Sequence, residues 1–338
     1  MPTDLRGLTR AEIERALTDL GEKPGNAGAV FLAVHRRGAA DLARLPGVPA
    51  RVCLALARAF TLEPLPLPER KLVSADGTRK LLFRFAGNAP AECVVLPGKD
   101  QQTACLSSQS GCACGCSFCA TGALGLKRSL TPAEIVAQFE ACLREAVDLR
   151  SIVFMGMGEP FLNWENVKKA IRILSDSRGR HFPQVKMTVS TVGVIPVIEE
   201  LTTSDLRVRL AVSVIAADPA LRARLAPMEK TYPLARVLAA VREYCRARNA
   251  HVMLEYILLP GVNDRPADAA LLAKLVAGIP CRLNLIPYNP PGGPGPAAPR
   301  VKEFQLELIA AGVRTYLRQE KGADIAAACG QLAAGAGK

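Results

Sequence analysis

Residues 151–176 read SIVFMGMGEPFLNWENVKKAIRILSD, and the fold class follows from the pattern they contain. The first five residues form an apolar run of the kind found in buried strands. A glycine-containing turn follows, and from residue 164 the apolar residues recur at helical spacing. A strand followed by a helix is the repeating unit of parallel α/β folds.

The same alternation continues on both sides of this stretch. Candidate strands lie at residues 81–85, 151–155, 186–190, 208–214, 252–258 and 282–286. Candidate helices lie at residues 132–147, 164–176, 194–203, 233–248 and 265–277. This order predicts a full or partial (β/α) barrel of the TIM type, with its active site at the C-terminal ends of the strands.

Composition divides the chain into three segments. Residues 1–70 show helical periodicity and end in a proline-rich connector, so they predict a small N-terminal helical domain. Residues 80–290 predict the barrel core. Residues 291–338 begin in a glycine- and proline-rich stretch, continue as a helix at 301–311 and end in a tail that carries Cys329.

The chain has 338 residues, 49% of them hydrophobic, and a formal net charge of +12. This basic excess favours an acidic partner, and nucleic acid is the commonest polyanion. The sequence contains no window of about 18 uncharged apolar residues. Charged residues also interrupt the N-terminal region. We therefore expect no membrane span, no signal peptide and a cytoplasmic location.

Cysteines outnumber histidines by 11 to 3, and five of them crowd into residues 105–119. In a reducing compartment such clustering favours metal or redox chemistry. Cys112, Cys116 and Cys119 follow the spacing C-x3-C-x2-C. Three thiolates would leave the fourth iron of a [4Fe-4S] cluster open to the amino and carboxylate groups of S-adenosylmethionine (SAM), whereas ferredoxin-type sites close all four irons.

Cys114 allows a second interpretation of this loop. Structural zinc takes four nitrogen or sulfur ligands, and Cys114 would complete a set of four cysteines. The protein would then be a zinc-dependent RNA-binding module without catalysis. Anaerobic iron and sulfide analysis with a visible spectrum distinguishes the two metal centres.

Further motifs occur in order along the chain, and together with the cysteine loop they carry a family resemblance. They are Leu20-Gly-Glu-Lys-Pro24, Cys105-Leu-Ser-Ser-Gln-Ser-Gly-Cys112, Ala120-Thr-Gly122, Gly156-Met-Gly-Glu-Pro160, Ser190-Thr-Val-Gly193 and Cys329-Gly-Gln-Leu332. The chain resembles the RlmN/Cfr family of radical-SAM RNA adenine methyltransferases over nearly its whole length. Pro160 after Glu159 favours the RlmN branch, which methylates adenine C2.

The resemblance implies a partial radical-SAM barrel that methylates C2 of an adenosine in 23S rRNA, with tRNA as a second candidate substrate. It also implies a [4Fe-4S] cluster, two SAM molecules per turnover, an external electron donor such as flavodoxin or ferredoxin, and a monomer. Two alternatives remain within radical-SAM chemistry. One is Cfr-type methylation of adenine C8, and the other is a divergent enzyme with another substrate.

Site residues are implied by the same resemblance. The cluster ligands would be Cys112, Cys116 and Cys119. The SAM pocket would be lined by Glu159, Pro160, Ser190, Ser213, Val214, Ile215 and Asn289. The catalytic residues would be Cys329 as methyl carrier, Cys105 as the thiol that resolves the protein-RNA adduct through a disulfide, and Glu92 as the base.

The chain departs from the family pattern at two places. The family has Ser-Leu-His where this chain has Ser213-Val214-Ile215, so a polar contact on the SAM side is missing. Family members continue Gly-Glu-Lys-Pro with an aromatic residue and an arginine, whereas Gly25 and Asn26 follow here. The RNA contact of the N-terminal segment should therefore differ as well.

Overall fold

The computed structural model describes residues 3–99, 101–290 and 300–333. Its N-terminal part contains the helices α1 (Arg10–Asp19), α2 (Ala27–His35) and α3 (Ala50–Ala59). The first begins with a capping box, in which Thr9 Oγ1 accepts from the Glu12 backbone N–H and the Glu12 carboxylate accepts from the Thr9 backbone N–H. These helices pack on the barrel through a shared apolar core.

Twelve strands follow in the described residues. In chain order they are β1 (Arg70–Val73), β2 (Arg79–Phe85), β3 (Ala89–Leu96), β4 (Gln102–Cys105), β5 (Gln109–Gly111), β6 (Leu126–Ser129), β7 (Leu149–Phe154), β8 (Met187–Thr191), β9 (Arg209–Ser213), β10 (Val252–Leu258), β11 (Cys281–Pro287) and β12 (Thr315–Leu317). Ten of them form one sheet in the order β1-β2-β3-β4-β7-β8-β9-β10-β11-β12. The first four pair antiparallel, and β4 and β7 to β12 run parallel. β5 and β6 form a separate hairpin.

Helices connect the parallel strands. They are α5 (Pro132–Glu145), α6 (Trp164–Ser175), α7 (Ile195–Thr203), α8 (Pro219–Leu225), α9 (Leu234–Arg248), α10 (Pro266–Val276) and α11 (Val301–Ala310), whereas the short helix α4 (Ala120–Ala123) lies between the hairpin strands β5 and β6. α6 shows why they pack this way: Trp164, Val167, Ala170 and Ile171 are buried at helical spacing. Helix α5 begins with a capping box between Thr131 and Glu134 and has a proline at its first helical position.

The carboxyl ends of the parallel strands converge on one cleft, which shows that the sheet is curved. Side chains near the ends of β7, β8, β9, β10 and β11 all line it. Strand β10 is buried along nearly its whole length, as expected for a strand covered on both faces. The predicted α/β class and partial (β/α) barrel are confirmed.

The predicted strands correspond to β2 and β7 to β11, and the predicted helices to α5, α6, α7, α9, α10 and α11, each within a few residues. The prediction missed six short or atypical strands. Strand β4, for example, has the mixed residues Gln102–Cys105 and no alternation of its own. It is a strand because β3 and β7 supply hydrogen-bonding partners on both sides, which local sequence does not reveal.

The C-terminal tail crosses back over the sheet after β12. Lys80 Nζ donates to Ala326 O at 3.0 Å, and the Gly322 backbone N–H donates to Asp76 Oδ2 at 3.0 Å. The glycine- and proline-rich stretch 291–299, at the start of the predicted C-terminal segment, lies outside the described residues. In the described part of the chain, none of the helices has the length and apolar character needed to span a bilayer.

Candidate active site

A cleft opens where the parallel strands end. Its walls come from the carboxyl ends of β7 to β11 and from the segments after them, and the loop between β5 and α4 closes one side. It is termed the cysteine cleft below.

All three predicted cluster ligands, Cys112, Cys116 and Cys119, line the cysteine cleft. The chain leaves β5 through Gly111, whose φ is +78° and where an added Cβ would lie 1.8 Å from the Gly125 carbonyl oxygen. Only glycine fits there, so the direction of the loop depends on it. Cys119 is the N-cap of α4.

Cys114 differs from the predicted ligands in its hydrogen bonding. A hydrogen bond from the Cys114 thiol lowers the pKa of Cys112, and the same bond raises the pKa of Cys114. The Cys114 backbone N–H also donates to Cys112 Sγ at 3.5 Å. Cys112 is therefore favoured as the thiolate and Cys114 as its donor. This arrangement agrees with Cys114 as a neighbour of the ligands.

Burial is the largest cause of the pKa shifts of the other two loop cysteines, Cys116 and Cys119. It raises the pKa of Cys116 to about 12, and the charges of Cys119 and Cys112 add to the rise. Burial also raises the pKa of Cys119, while backbone N–H groups of Gly122 and Thr121 act in the opposite direction. Such thiols lose their protons when a metal binds them.

A four-iron cluster fits this donor set. The three thiols face one cleft, and backbone N–H groups reach the Cys119 sulfur, as they do at iron-sulfur sites. Ligands of one zinc ion must meet at a single point at about 2.3 Å, whereas each cluster cysteine binds a different iron. In the described part of the chain, no three His, Cys, Asp or Glu side chains meet in this way.

Glu159 lies in the cysteine cleft with 5% of its surface exposed. Its carboxylate oxygens accept from the backbone N–H groups of Phe161 at 3.0 Å and Val192 at 2.8 Å. Burial raises its pKa to about 7, although these hydrogen bonds lower it. A buried carboxylate with such a pKa is suited to pair with a ligand cation.

The other predicted SAM residues are distributed over three places. Pro160, Ser190 and Ser213 line the cysteine cleft. Val214 is fully buried in the main apolar core. Asn289 lines the neighbouring cavity described below, and its Oδ1 is buried without a hydrogen-bond partner in the described residues. Their roles stay predictions.

Ile215 occupies a strained turn at the edge of the cleft. Its φ is +71°, and the Ala216 backbone N–H donates to Val214 O at 2.8 Å, which is the hydrogen bond of a γ-turn. A β-branched residue rarely adopts this conformation. The Asn263 side chain holds the turn by donating to Ile215 O at 2.8 Å. The turn packs Ile215 in an apolar cluster with Cys112 and Cys114.

A second cavity of about 770 Å³ adjoins the cysteine cleft. It is termed the tail cavity, and Cys105, Asn289, Arg318, Cys329 and Leu332 are among its lining residues. The two predicted thiols therefore face one space. Burial raises the pKa of Cys105 to about 12, and the charge of Cys329 is the next largest cause.

Arg318 is a site residue that the sequence patterns missed. It lines both the cysteine cleft and the tail cavity, and its pKa is raised chiefly by Cys329, with Glu255 and Cys105 contributing. It follows the three-residue strand β12, which no periodicity marks. The only available signal was an arginine eleven residues before Cys329 in the tail.

Glu92 lies on β3 near the tail cavity, with 2% of its surface exposed. Its Oε1 is 3.4 Å from Lys80 Nζ, and its Oε2 accepts from the Ala333 backbone N–H at 3.0 Å. On β3, Glu92 is two residues from Val94, which pairs with Cys105. Glu92 and Cys105 therefore point to the same face of the sheet.

The barrel and the three-thiol loop define a class of protein. The model for the Radical SAM superfamily matches residues 106–273. The crystal structure of a radical SAM methyltransferase from Sphaerobacter thermophilus superposes with a TM-score of 0.91 at 41% identity, covering 98% of this chain and 100% of that chain. Membership of this superfamily implies a [4Fe-4S] cluster and SAM.

Relatives that match nearly the whole chain narrow the class of protein further. The dual-specificity RNA methyltransferase RlmN of Anaeromyxobacter dehalogenans is 42% identical over 99% of this chain and 92% of its own length. The protein of the same name from Rhodospirillum rubrum is 43% identical over 98% of this chain and 80% of its own length. The chain belongs to the RlmN family of radical-SAM RNA methyltransferases, and the predicted resemblance is confirmed.

Proposed function

We propose that this enzyme methylates C2 of an adenosine in 23S rRNA and in tRNA through an S-methylcysteine at Cys329. The single observation that carries the proposal is the position of Cys329, which lines both the cysteine cleft and the tail cavity. A carrier thiol must meet the methyl donor on one side and the resolving thiol on the other. Cys105 faces only the second of these spaces.

Cys112, Cys116 and Cys119 would hold the cluster, and Glu159 would pair with the ammonium group of SAM. When bound, the cluster and SAM supply a one-electron cleavage that gives a carbon radical able to take hydrogen from the methyl group on Cys329. The Cys329 thiolate would first acquire that methyl by displacement, which uses one of the two SAM molecules per turnover. Arg318 lines the same two spaces as Cys329 and places a positive charge there.

Cys105 would act last. Its thiol is held protonated by burial and by the charge of Cys329. Once the Cys329 sulfur bears carbon it no longer carries a negative charge, so Cys105 ionises more readily. Its attack on that sulfur would break the bond between sulfur and the methylene carbon, whose electron pair passes to the adenine; a proton then completes the methyl group of the released RNA. A Cys105-Cys329 disulfide remains, which an external reductant restores.

Glu92 would remove the ring proton of adenine before release. Its carboxylate lies on the same sheet face as Cys105, with Lys80 Nζ 3.4 Å from Oε1. The Ala333 backbone N–H that donates to Glu92 belongs to the tail that carries Cys329. This contact joins the proposed base to the segment that carries the methyl carrier.

The substrate would be an unstacked adenosine, because a base within a duplex cannot reach a buried thiol. The net charge of +12 supports an RNA partner. The relatives carry the description dual-specificity RNA methyltransferase, which favours both rRNA and tRNA here. We further propose a cytoplasmic monomer reduced by flavodoxin or ferredoxin.

Mass spectrometry of modified adenosines tests the substrate. Nucleosides from 23S rRNA and tRNA would be compared between a deletion strain and the complemented strain. We expect 2-methyladenosine in both RNAs only after complementation. Appearance of 8-methyladenosine would favour the Cfr-type alternative, and no change in either RNA would contradict the proposed substrate.

SAM binding should weaken below neutral pH because of Glu159. Its pKa of about 7 means that the carboxylate needed for the SAM ammonium becomes protonated as the pH falls. The apparent Kd should then rise by up to about tenfold per pH unit below that value. Equilibrium dialysis of the reconstituted protein with labelled SAM between pH 5.5 and 7.5 measures this. Glu159→Gln should bind weakly at every pH, and an equal slope in that variant would rule out Glu159 as the titrating group.

Replacing Ile215 by histidine should strengthen SAM binding. Histidine tolerates a positive φ better than a β-branched residue, and it restores a polar group at the cleft edge. One added hydrogen bond of about 1 kcal/mol corresponds to about fivefold lower Kd. Ile215→Val is the matched control and should leave the Kd unchanged. Equal affinity in Ile215→His and wild type would show that the side chain at 215 does not contact SAM.

A further inference from the structure

Arg222 on α8 is an arginine with none of its surface exposed. Its Nε donates to Val214 O at 2.9 Å, and its Nη2 donates to Val192 O at 2.8 Å and to Ser213 O at 3.4 Å. Its Nη1 forms an ion pair with Glu229. A buried guanidinium with this many partners is fixed in place.

The carbonyls that Arg222 binds belong to the two strand ends that face SAM. Val192 directly follows β8, and its backbone N–H donates to the Glu159 carboxylate at 2.8 Å. Ser213 ends β9 and lines the cysteine cleft. Arg222 thus ties β8 to β9 beneath the cleft.

The same helix also supports the cysteine loop. The Ser117 backbone N–H donates to Leu225 O at 2.9 Å, and Ala226 packs in the apolar cluster that contains Cys112. Ser117 directly follows Cys116, and Leu225 lies three residues after Arg222 on the same helix, so this contact brings the helix that carries the guanidinium against the loop at Cys116.

We propose that Arg222 is a positioning residue that sets the spacing of the SAM-facing ends of β8 and β9 and places a buried positive charge beside the cluster ligand Cys116. The inference rests on the radical-SAM part of the proposed function and does not depend on the RNA substrate. Sequence patterns gave no sign of it, since Arg222 lies in a short helix among other arginines.

The charge has a predictable effect on reduction. Adding an electron makes the cluster more negative, so a nearby buried cation stabilises the reduced form and raises the reduction potential. Glu229 opposes this effect, because it is the anion of the same pair. Removing the cation should therefore lower the reduction potential, and removing the anion should raise it.

Three variants separate charge from hydrogen bonding. Arg222→Gln combined with Glu229→Gln removes both charges, so no buried unpaired carboxylate is left to threaten folding, and its comparison with Glu229→Gln isolates the effect of the cation. Glu229→Gln removes only the anion, and Arg222→Lys keeps the charge but loses the planar set of donors. Arg248→Gln is the matched control. Arg248 also donates to backbone carbonyls, at Leu201 (3.0 Å), Thr202 (3.3 Å) and Ser204 (2.9 Å), but near the N-terminal end of β9, away from the cysteines.

Each protein would be reconstituted anaerobically and titrated potentiometrically with detection by electron paramagnetic resonance, and SAM affinity would be measured by equilibrium dialysis. We expect a less negative potential in Glu229→Gln, a more negative potential in the double variant than in Glu229→Gln, and a value near wild type in Arg222→Lys and Arg248→Gln. SAM affinity should fall about tenfold in Arg222→Lys and in the double variant.

A double variant with the same potential as Glu229→Gln would overturn the electrostatic role. Unchanged SAM affinity in Arg222→Lys and the double variant would overturn the positioning role. The iron and sulfide content of each variant shows whether a cluster is present to be titrated. If wild-type protein methylates no adenine but the shifts appear, the RNA proposal fails and the inference on Arg222 stands.

Discussion

The Cys105→Ala variant is expected to retain RNA covalently attached to Cys329. Cys105 faces the tail cavity beside Cys329 and is absent from the cysteine cleft, so its loss should leave cluster assembly and methylation of Cys329 intact. Only release of the adduct requires its sulfur. Turnover should therefore stop after one addition. The measurement is a mass shift on the purified protein that survives denaturant and disappears after nuclease treatment.

Two further variants test the same mechanism. Cys329→Ala should carry no adduct, because the atom that bonds to RNA is missing. Cys281→Ala is the matched control, since Cys281 begins β11 at the end of the barrel away from the cleft and should behave as wild type. Normal turnover by Cys105→Ala without bound RNA would refute the two-cysteine mechanism and return Cys105 to the role of a buried small residue.

Removal of any one of Cys112, Cys116 or Cys119 should abolish the cluster and all methylation. Each would bind a separate iron, and no other cysteine in the described residues lines the cleft apart from Cys114 and Cys329. Cys114→Ala should keep both cluster and activity, because Cys114 acts as a donor to Cys112. Iron and sulfide content after anaerobic reconstitution, together with the visible spectrum, measures the outcome.

Cys142→Ala provides the control for removal of a buried cysteine. Its sulfur lies 3.5 Å from that of Cys93 in the core, and it lines neither the cleft nor the tail cavity. Its cluster content should match wild type. Loss of metal in Cys114→Ala, together with the spectrum of tetrahedral Co²⁺ after cobalt substitution of the wild type, would support the zinc interpretation.

The local sequence by itself determined the alternation of strands and helices and the cysteine spacing. Both are short-range properties. The spacing of apolar residues specifies whether a segment forms a helix or a strand, and three thiols within eight residues must share one loop. The order of motifs along the chain was enough to identify the family before any geometry was known. Boundaries of long periodic elements, such as β10 and α6, were also close to the observed ones.

Only the tertiary structure decided which distant residues share a space. Cys105 and Cys329 are separated by more than two hundred residues, and they face one cavity because the tail returns across the sheet after β12. Arg222 and Arg318 were indistinguishable in sequence from the many arginines of a basic chain. Burial and partners define their function, and both depend on long-range packing that local patterns do not encode.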